Sequence, residues 1–356
     1  MRHIVTLLLW SVLALPSAMA QGVFTVSNTV KVPAQYTSLA TAVAEVPSGS
    51  TLMLQPSDRP YEQVLINKNI KIVGGGFKER EAYNEIASSV DRIIVLPGGY
   101  QVELVNLKTA KLEINDFNAS GNQDFGKVEI EYCQVNLLDL QVSDVSTFVL
   151  DMNVMNSLVP RFDMVSASTI GGSSIQFSNN VIGYLSGIKG GCTFVNNLFI
   201  PGNLNVRAFE GVEDVMLLDN IFYGTTGANK IGILTASGCV LKNNIAFQLE
   251  DKFTESSIDN TLEGNVDDTN PRFTAVRSSS SFVNMSLESN LSLEENSPAL
   301  GTGYQGGDVG ITGGAYPFVP SRRYAMPYIK SIKIDKPVID QQQKVRVTIE
   351  AEYPSN

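Results

Sequence analysis

The chain repeats one phrase five times: IQFSNNVI at residues 175–182, TFVNNLFI at 193–200, VMLLDNIF at 215–222, VLKNNIAF at 240–247 and TLEGNV at 261–266. Each copy is an apolar run, a two-residue break that ends in Asn, and a second apolar run. The closing residues Asn180, Asn197, Asn220, Asn244 and Asn265 recur at intervals of 17, 23, 24 and 21 residues. Apolar positions within the runs are spaced two apart, the period of a strand and not of a helix. Self-similarity at about 20 to 25 residues with two short strands per unit is the pattern of a solenoid whose repeats stack as single turns. Asn tolerates the left-handed backbone of a sharp bend, and its amide can bond to the equivalent Asn one coil above and below. A column of stacked Asn is therefore expected, with Asn153 in VLDMNVM as an earlier rung. A leucine-rich repeat would share the period, but the LxxLxLxxN spacing is absent.

These in-phase Asn pairs resemble the right-handed parallel β-helix family, the pectate-lyase-like architecture of secreted bacterial proteins. The fold class expected is all-β: a right-handed parallel β-helix solenoid with an N-terminal cap helix and a C-terminal β-hairpin extension. Three segments follow: residues 1–20 as a signal peptide, 21–318 as the β-helix domain, and 319–356 as a linker and hairpin tail. From Val23 to Phe318 one continuous solenoid of roughly ten to twelve coils is expected, at about 22 to 25 residues each.

Residues 1–20 carry Arg2, the mostly apolar run 4–15 and small residues before Gln21, which reads as a secretory leader cleaved near Ala20. No later stretch approaches the roughly 18 apolar residues of a membrane span. The whole chain has a formal net charge of −10, which argues against nucleic acid or an anionic membrane as partner. The only histidine is His3, in the leader. The exported form therefore excludes Ser-His-Asp and Cys-His catalysis and histidine-ligated metals. Cys133, Cys192 and Cys239 allow at most one internal disulfide, and strand positions for Cys192 and Cys239 make them small core residues.

Ahead of the repeats, Leu39, Ala42, Val43 and Val46 stand at helical spacing behind Thr37 or Ser38 and stop at Pro47, a short helix suited to cover an open first coil. Strands follow at 51–55, around Val64 and Ile66, and around Ile70 and Ile72 before Gly74-Gly75-Gly76, a tight turn without the Lys-Ser/Thr of a phosphate cradle. Residues 77–99, with Lys78-Glu79-Arg80-Glu81, read as a long loop inserted between coils. The ending, TNPRF and then SPALGTGYQGGDVGITGGAYPF, resembles the last partial coil of that family. Asp267-Asp268 and Asp308 raise calcium, but one adjacent pair offers too few oxygens, so no cofactor is expected. Ile329, Ile332 and Ile334 and then Val345, Val347, Ile349 and Ala351 mark a terminal hairpin, available for strand pairing with another element or chain.

In pectate-lyase-like proteins the Asn ladder precedes the sheet that lines the saccharide groove. That resemblance places residues 161–166, 187–191, 206–210 and 230–234 side by side and offers Arg161, Lys189, Arg207 and Lys230, with Asp163 and Glu210 among them, as substrate-binding residues. Parallel strands lie about 4.8 Å apart, close to the length of a pyranose unit, so such a column can meet successive sugars. Lys and Arg would pair with uronates or sulfates. No RxPxxR, GHG or RIK motif is present. The function expected is an exported, non-catalytic binder of a polysaccharide or cell-surface component. The alternative is a polysaccharide lyase or glycoside hydrolase working without histidine.

Overall fold

A computed structural model of the chain describes residues 21–29, 33–77, 87–117, 121–142, 148–165, 172–200, 208–224, 236–248, 253, 259–277, 282–318, 328–334 and 347–352. Residues 1–20 and 319–327, read above as a leader and the start of a linker, and Arg207 and Lys230 lie outside them.

Two long parallel sheets run the length of a β-solenoid of about eight turns. The first carries the run before each break, from Val23–Val26 and Ser50–Leu54 through Ser174–Ser178, Cys192–Val195, Met216–Leu218 and Val240–Lys242 to Thr261–Glu263. The second carries the run after it, including Ser89–Val95, Lys108–Asn115, Leu138–Gln141, Leu158–Val165, Val181–Ser186, Leu198–Phe199, Ile221–Tyr223 and Ile245–Phe247. Side chains alternate in and out along each strand. The inward set fills the core with rings that stack from coil to coil: Phe177 on Phe194 at 4.9 Å, and Phe199 on Phe222 at 4.6 Å and an interplanar angle of 7°. Each fully buried ring contributes about 2 to 3 kcal/mol of transfer free energy, and the stacking lets one coil template the next.

The break between the sheets divides its two jobs between its two residues. The left-handed conformation belongs to the first, Asn179, Asn196, Asp219, Asn243 and Gly264, whose φ values lie between 51° and 65°. The second residue points inward and forms the ladder. Asn180 donates to Asn197 Oδ1 at 3.1 Å, Asn197 to Asn220 Oδ1 at 3.1 Å, Asn220 to Asn244 Oδ1 at 3.0 Å and Asn244 to Asn265 Oδ1 at 2.8 Å. The ladder continues upstream through other residue types. Ser157 N–H donates to Asn180 Oδ1 at 2.9 Å and Cys133 N–H to Ser157 Oγ at 3.0 Å. Asn153 is not a rung: it sits opposite Gln176 on the outer face of the first sheet.

The cap helix is Leu39–Glu45. Ser38 accepts from Thr41 N–H at 3.1 Å, and Glu62, in the Pro-Tyr-Glu turn, accepts from Ser38 Oγ and from Ala40 N–H at 2.9 Å. The helix buries Leu39, Ala42 and Val43 against the first coil. The neighbouring Tyr61 hydroxyl, buried, donates to Val26 and Gln55 carbonyls, and burial pushes its pKa up to about 12. All three cysteines are free and buried. Burial raises the Cys133 thiol to about 12 and the other two upward, which makes them inert packing groups.

Two expectations are corrected here. Residues 77–99 are not all loop, because Ser89–Val95 is a strand of the second sheet with Val90, Ile93 and Val95 in the core. The polar run ahead of it hid the alternation. The segment 271–318 is not a last coil either. After residue 266 the chain returns along the outside of the solenoid, from Asp219, which accepts from Tyr304 N–H at 2.9 Å, past Asn196 to Asn179, which donates to Ile311 and Gly313 carbonyls. With the helix Phe282–Glu288 and the antiparallel pair Phe273–Ala275 and Asn290–Leu293, this strap covers an apolar outward column, Leu158, Val181, Leu198, Ile221 and Ile245. Gly310, at φ 85°, lies so close that a Cβ there would meet Ile221 Cδ1 at 2.4 Å. The terminal hairpin forms as expected, pairing Tyr328–Ile334 with Val347–Glu352.

Asp219 stands where the neighbouring corners have Asn, and burial raises its pKa while the Tyr304 N–H opposes that rise. A carboxyl raised in this way carries a folding penalty above its folded pKa that fades as pH falls through it. Asp219→Asn keeps the acceptor and the left-handed residue and removes the desolvated charge. It should raise stability by about 1 kcal/mol at neutral pH, with the gain shrinking in acid. Equal thermal melts of variant and parent at pH 7 would show the charge to be well solvated.

Candidate functional site: a charged face on the second sheet

On the outer face of the second sheet, polar side chains stand in register on successive rungs. Glu113 is opposite Asp139, Asp139 opposite Asp163, Asp163 opposite Ser186, and Ser186 opposite Glu210. Two residues earlier on each strand, Arg92 is opposite Lys111 and Arg161 is opposite Tyr184. The intervening Leu112, Leu138, Phe162 and Leu185 point into the core, so strand alternation alone sends these polar groups outward.

The charges are tied to one another. Lys111 bridges Glu113 and Asp139, the latter at 2.7 Å, and Arg92 also holds Glu113, whose side chain is fully buried beneath them. Gln141 donates to Asp139 Oδ2 at 2.7 Å, and Asn115 donates to Gln141 at 3.1 Å. Asn115 in turn accepts from Phe117 N–H, at the end of its strand, where the exposed Phe117 adopts φ 49°. Arg161 pairs with Asp163 at 2.7 Å and lies over the Tyr184 ring, 5.5 Å from its centroid. The Tyr184 hydroxyl donates to the Glu210 carboxylate.

Burial pushes Glu113 upward, but the hydrogen bonds from Lys111 and Arg92 outweigh it and hold the carboxyl below the usual glutamate value. Lys111 is pushed down by burial and raised by more through Asp139 and Glu113. The pair to Asp163 raises Arg161, and burial with the Glu210 bond raises Tyr184.

Of the residues singled out in the sequence, Arg161, Asp163 and Glu210 belong to this face. Lys189 does not. It lies beyond the end of Val181–Ser186 and faces Glu213 at 3.8 Å, while the rung neighbour of Arg161 is Tyr184. Lys189 is therefore out of register with Arg161, while Arg207 and Lys230 lie outside the described residues. Counted from the ladder, the phase is plain: Glu113, Asp139, Asp163 and Ser186 each stand six residues after Leu107, Cys133, Ser157 and Asn180. Spacing from Asn does not flag Glu113 and Asp139, because the rungs before them are Leu107 and Cys133, while Tyr184 follows the Asn180 rung by four residues without carrying a charge that marks it. Among the described residues no group of three or more acidic, Cys or His side chains is arranged to hold a metal. Asp267 instead accepts from Phe253 N–H, and Asp308 from Gly301 N–H.

Comparison with protein families, curated proteins and solved structures finds no match to this chain.

Proposed function

We propose that this chain is an exported carbohydrate-binding protein, a right-handed β-helix of the pectate-lyase-like kind, whose second sheet binds a polysaccharide or a glycan-bearing surface component along the solenoid axis without cleaving it. One observation carries the reading: the outer face offers accessible hydrogen-bonding side chains on successive rungs, Arg161 with Asp163, Tyr184 with Ser186, and then Glu210. Rungs repeat at about 4.8 Å, close to the length of one pyranose. A regular polymer can then make the same contact several times, and the rigid sheet has already met the ordering cost. The leader-like residues 1–20 and the absence of any helix long and apolar enough to cross a membrane among the described residues are consistent with export.

An enzyme is the second reading, since Asp139 and Asp163 are Cα partners on adjacent strands, near the ~5 Å spacing of carboxylates in retaining glycosidases. Both are, however, engaged by fixed partners, Lys111 and Gln141 on one and Arg161 on the other. That suits neither a general acid nor a free nucleophile. A panel of polysaccharides, read separately for binding and for released oligosaccharide, tests both. Binding without release is expected, and Lys189→Glu should leave it unchanged. Release of oligosaccharides establishes the enzyme, and failure of every glycan to bind ends the proposal.

A further inference from the structure

Resting on that reading, we infer that the glycan bound by this face is uncharged, and that it is held by the Tyr184–Arg161 platform together with the accessible carboxylates of Asp163 and Glu210. The inference starts from the balance of charge. The face carries Glu113, Asp139, Asp163 and Glu210 against Arg92, Lys111 and Arg161, and each of these three cations is engaged by a carboxylate of the same face. A uronate or sulfate would have to displace one of those carboxylates, leaving it uncompensated in a partly buried setting. A sugar hydroxyl needs no such exchange. It donates to a carboxylate oxygen in a short, charge-assisted bond while the ion pair stays in place.

A second, independent feature points the same way. Tyr184, half-buried, stands on the rung next to Arg161, whose guanidinium carbon lies 5.5 Å from the ring centroid. An aromatic ring fixed in this way is a surface for the C–H face of a sugar, whose burial is apolar and insensitive to salt. Tyr184 lies three rungs from the strand of Glu113, so the span from one to the other accommodates about three sugar units at one unit per rung.

The test uses the full exported chain with a neutral glucan and a neutral mannan beside polygalacturonate and a sulfated galactan. Affinity electrophoresis or calorimetry is run at about 50 and 500 mM NaCl, which changes the screening length from about 14 to about 4 Å. A neutral glycan should bind, with less than about two-fold change across that range. Tyr184→Ala should weaken binding at least ten-fold and Asp163→Asn several-fold, while Tyr184→Phe, which keeps the ring and loses only the hydroxyl, should retain most of it. Melting curves show that each variant is folded. Binding confined to the polyanions and lost at high salt would overturn the neutral class and leave the carbohydrate-binding reading standing. Neutral binding unchanged by both Tyr184→Ala and Asp163→Asn would move the site off this face. No binding by any of the four glycans would remove the parent reading with it.

Discussion

Replacing Asn220 with leucine should cost about 3 to 5 kcal/mol and lower the melting temperature by about 10 °C or more. Asn220 is fully buried in the ladder. Its Oδ1 accepts from Asn197 N–H at 2.9 Å and its Nδ2 donates to Phe194 carbonyl at 2.9 Å. Leucine leaves that N–H and that carbonyl without partners in a dry interior, at about 1 to 3 kcal/mol each, and removes the amide that joins Asn197 to Asn244. Solenoid stability is close to a sum over neighbouring coils, so hydrogen exchange should accelerate first around residues 194–198 and 241–245. Asn153→Leu, on the outer face, should change stability by no more than about 0.5 kcal/mol. Similar melts for the two variants would refute the distinction between ladder and surface Asn.

Replacing Lys111 with methionine should cost about 2 to 4 kcal/mol at neutral pH. The ammonium is partly exposed, but it neutralises the fully buried Glu113 and the nearly buried Asp139. Arg92 still answers Glu113 in the variant, and Asp139 keeps only Gln141. The pH dependence separates a charge effect from a packing effect. In the parent, Glu113 has a lowered folded pKa, so its contribution is present above its unfolded value and is lost as pH falls through the folded one. Lys111 has a raised folded pKa, so its contribution is present below 10.5 and is lost as pH rises through the higher folded value. The gap between variant and parent should therefore be widest near neutral pH, narrowing below about pH 4 and again in strong alkali. A pH-independent gap would show that only the lost methylene packing matters.

How far the molecule can be read from its sequence varies element by element. The Asn pairs from 179 to 265 and the period-two runs beside them are legible because both record local constraints, a left-handed corner and an alternating strand. The same logic stopped where other residues do the same job: Ser157 and Cys133 serve in the ladder through backbone and hydroxyl bonds that no residue-type pattern reveals. The pair assignment was off by one, since the bend belongs to Asp219 and its equivalents while Asn220 and its equivalents supply the amides. One signal of the strap was present. In NNVI, NNLF and DNIF the two residues after the ladder are both apolar, which breaks alternation and marks strands buried on both faces at that point.

The amino-acid sequence by itself determined that this protein is a stack of short parallel strands with an amide column at one corner and a capped first coil, and that its one histidine is His3. Those features depend on neighbours within a few residues or on a repeat of fixed phase. Tertiary structure alone decided what the outer faces do. The strap is held to the corners by bonds between residues 85 to 134 apart in sequence, a separation no local pattern encodes. The charged face exists because the parallel pairing of successive coils brings Glu113, Asp139 and Asp163 into one column, where Arg92, Lys111 and Arg161 each find a carboxylate.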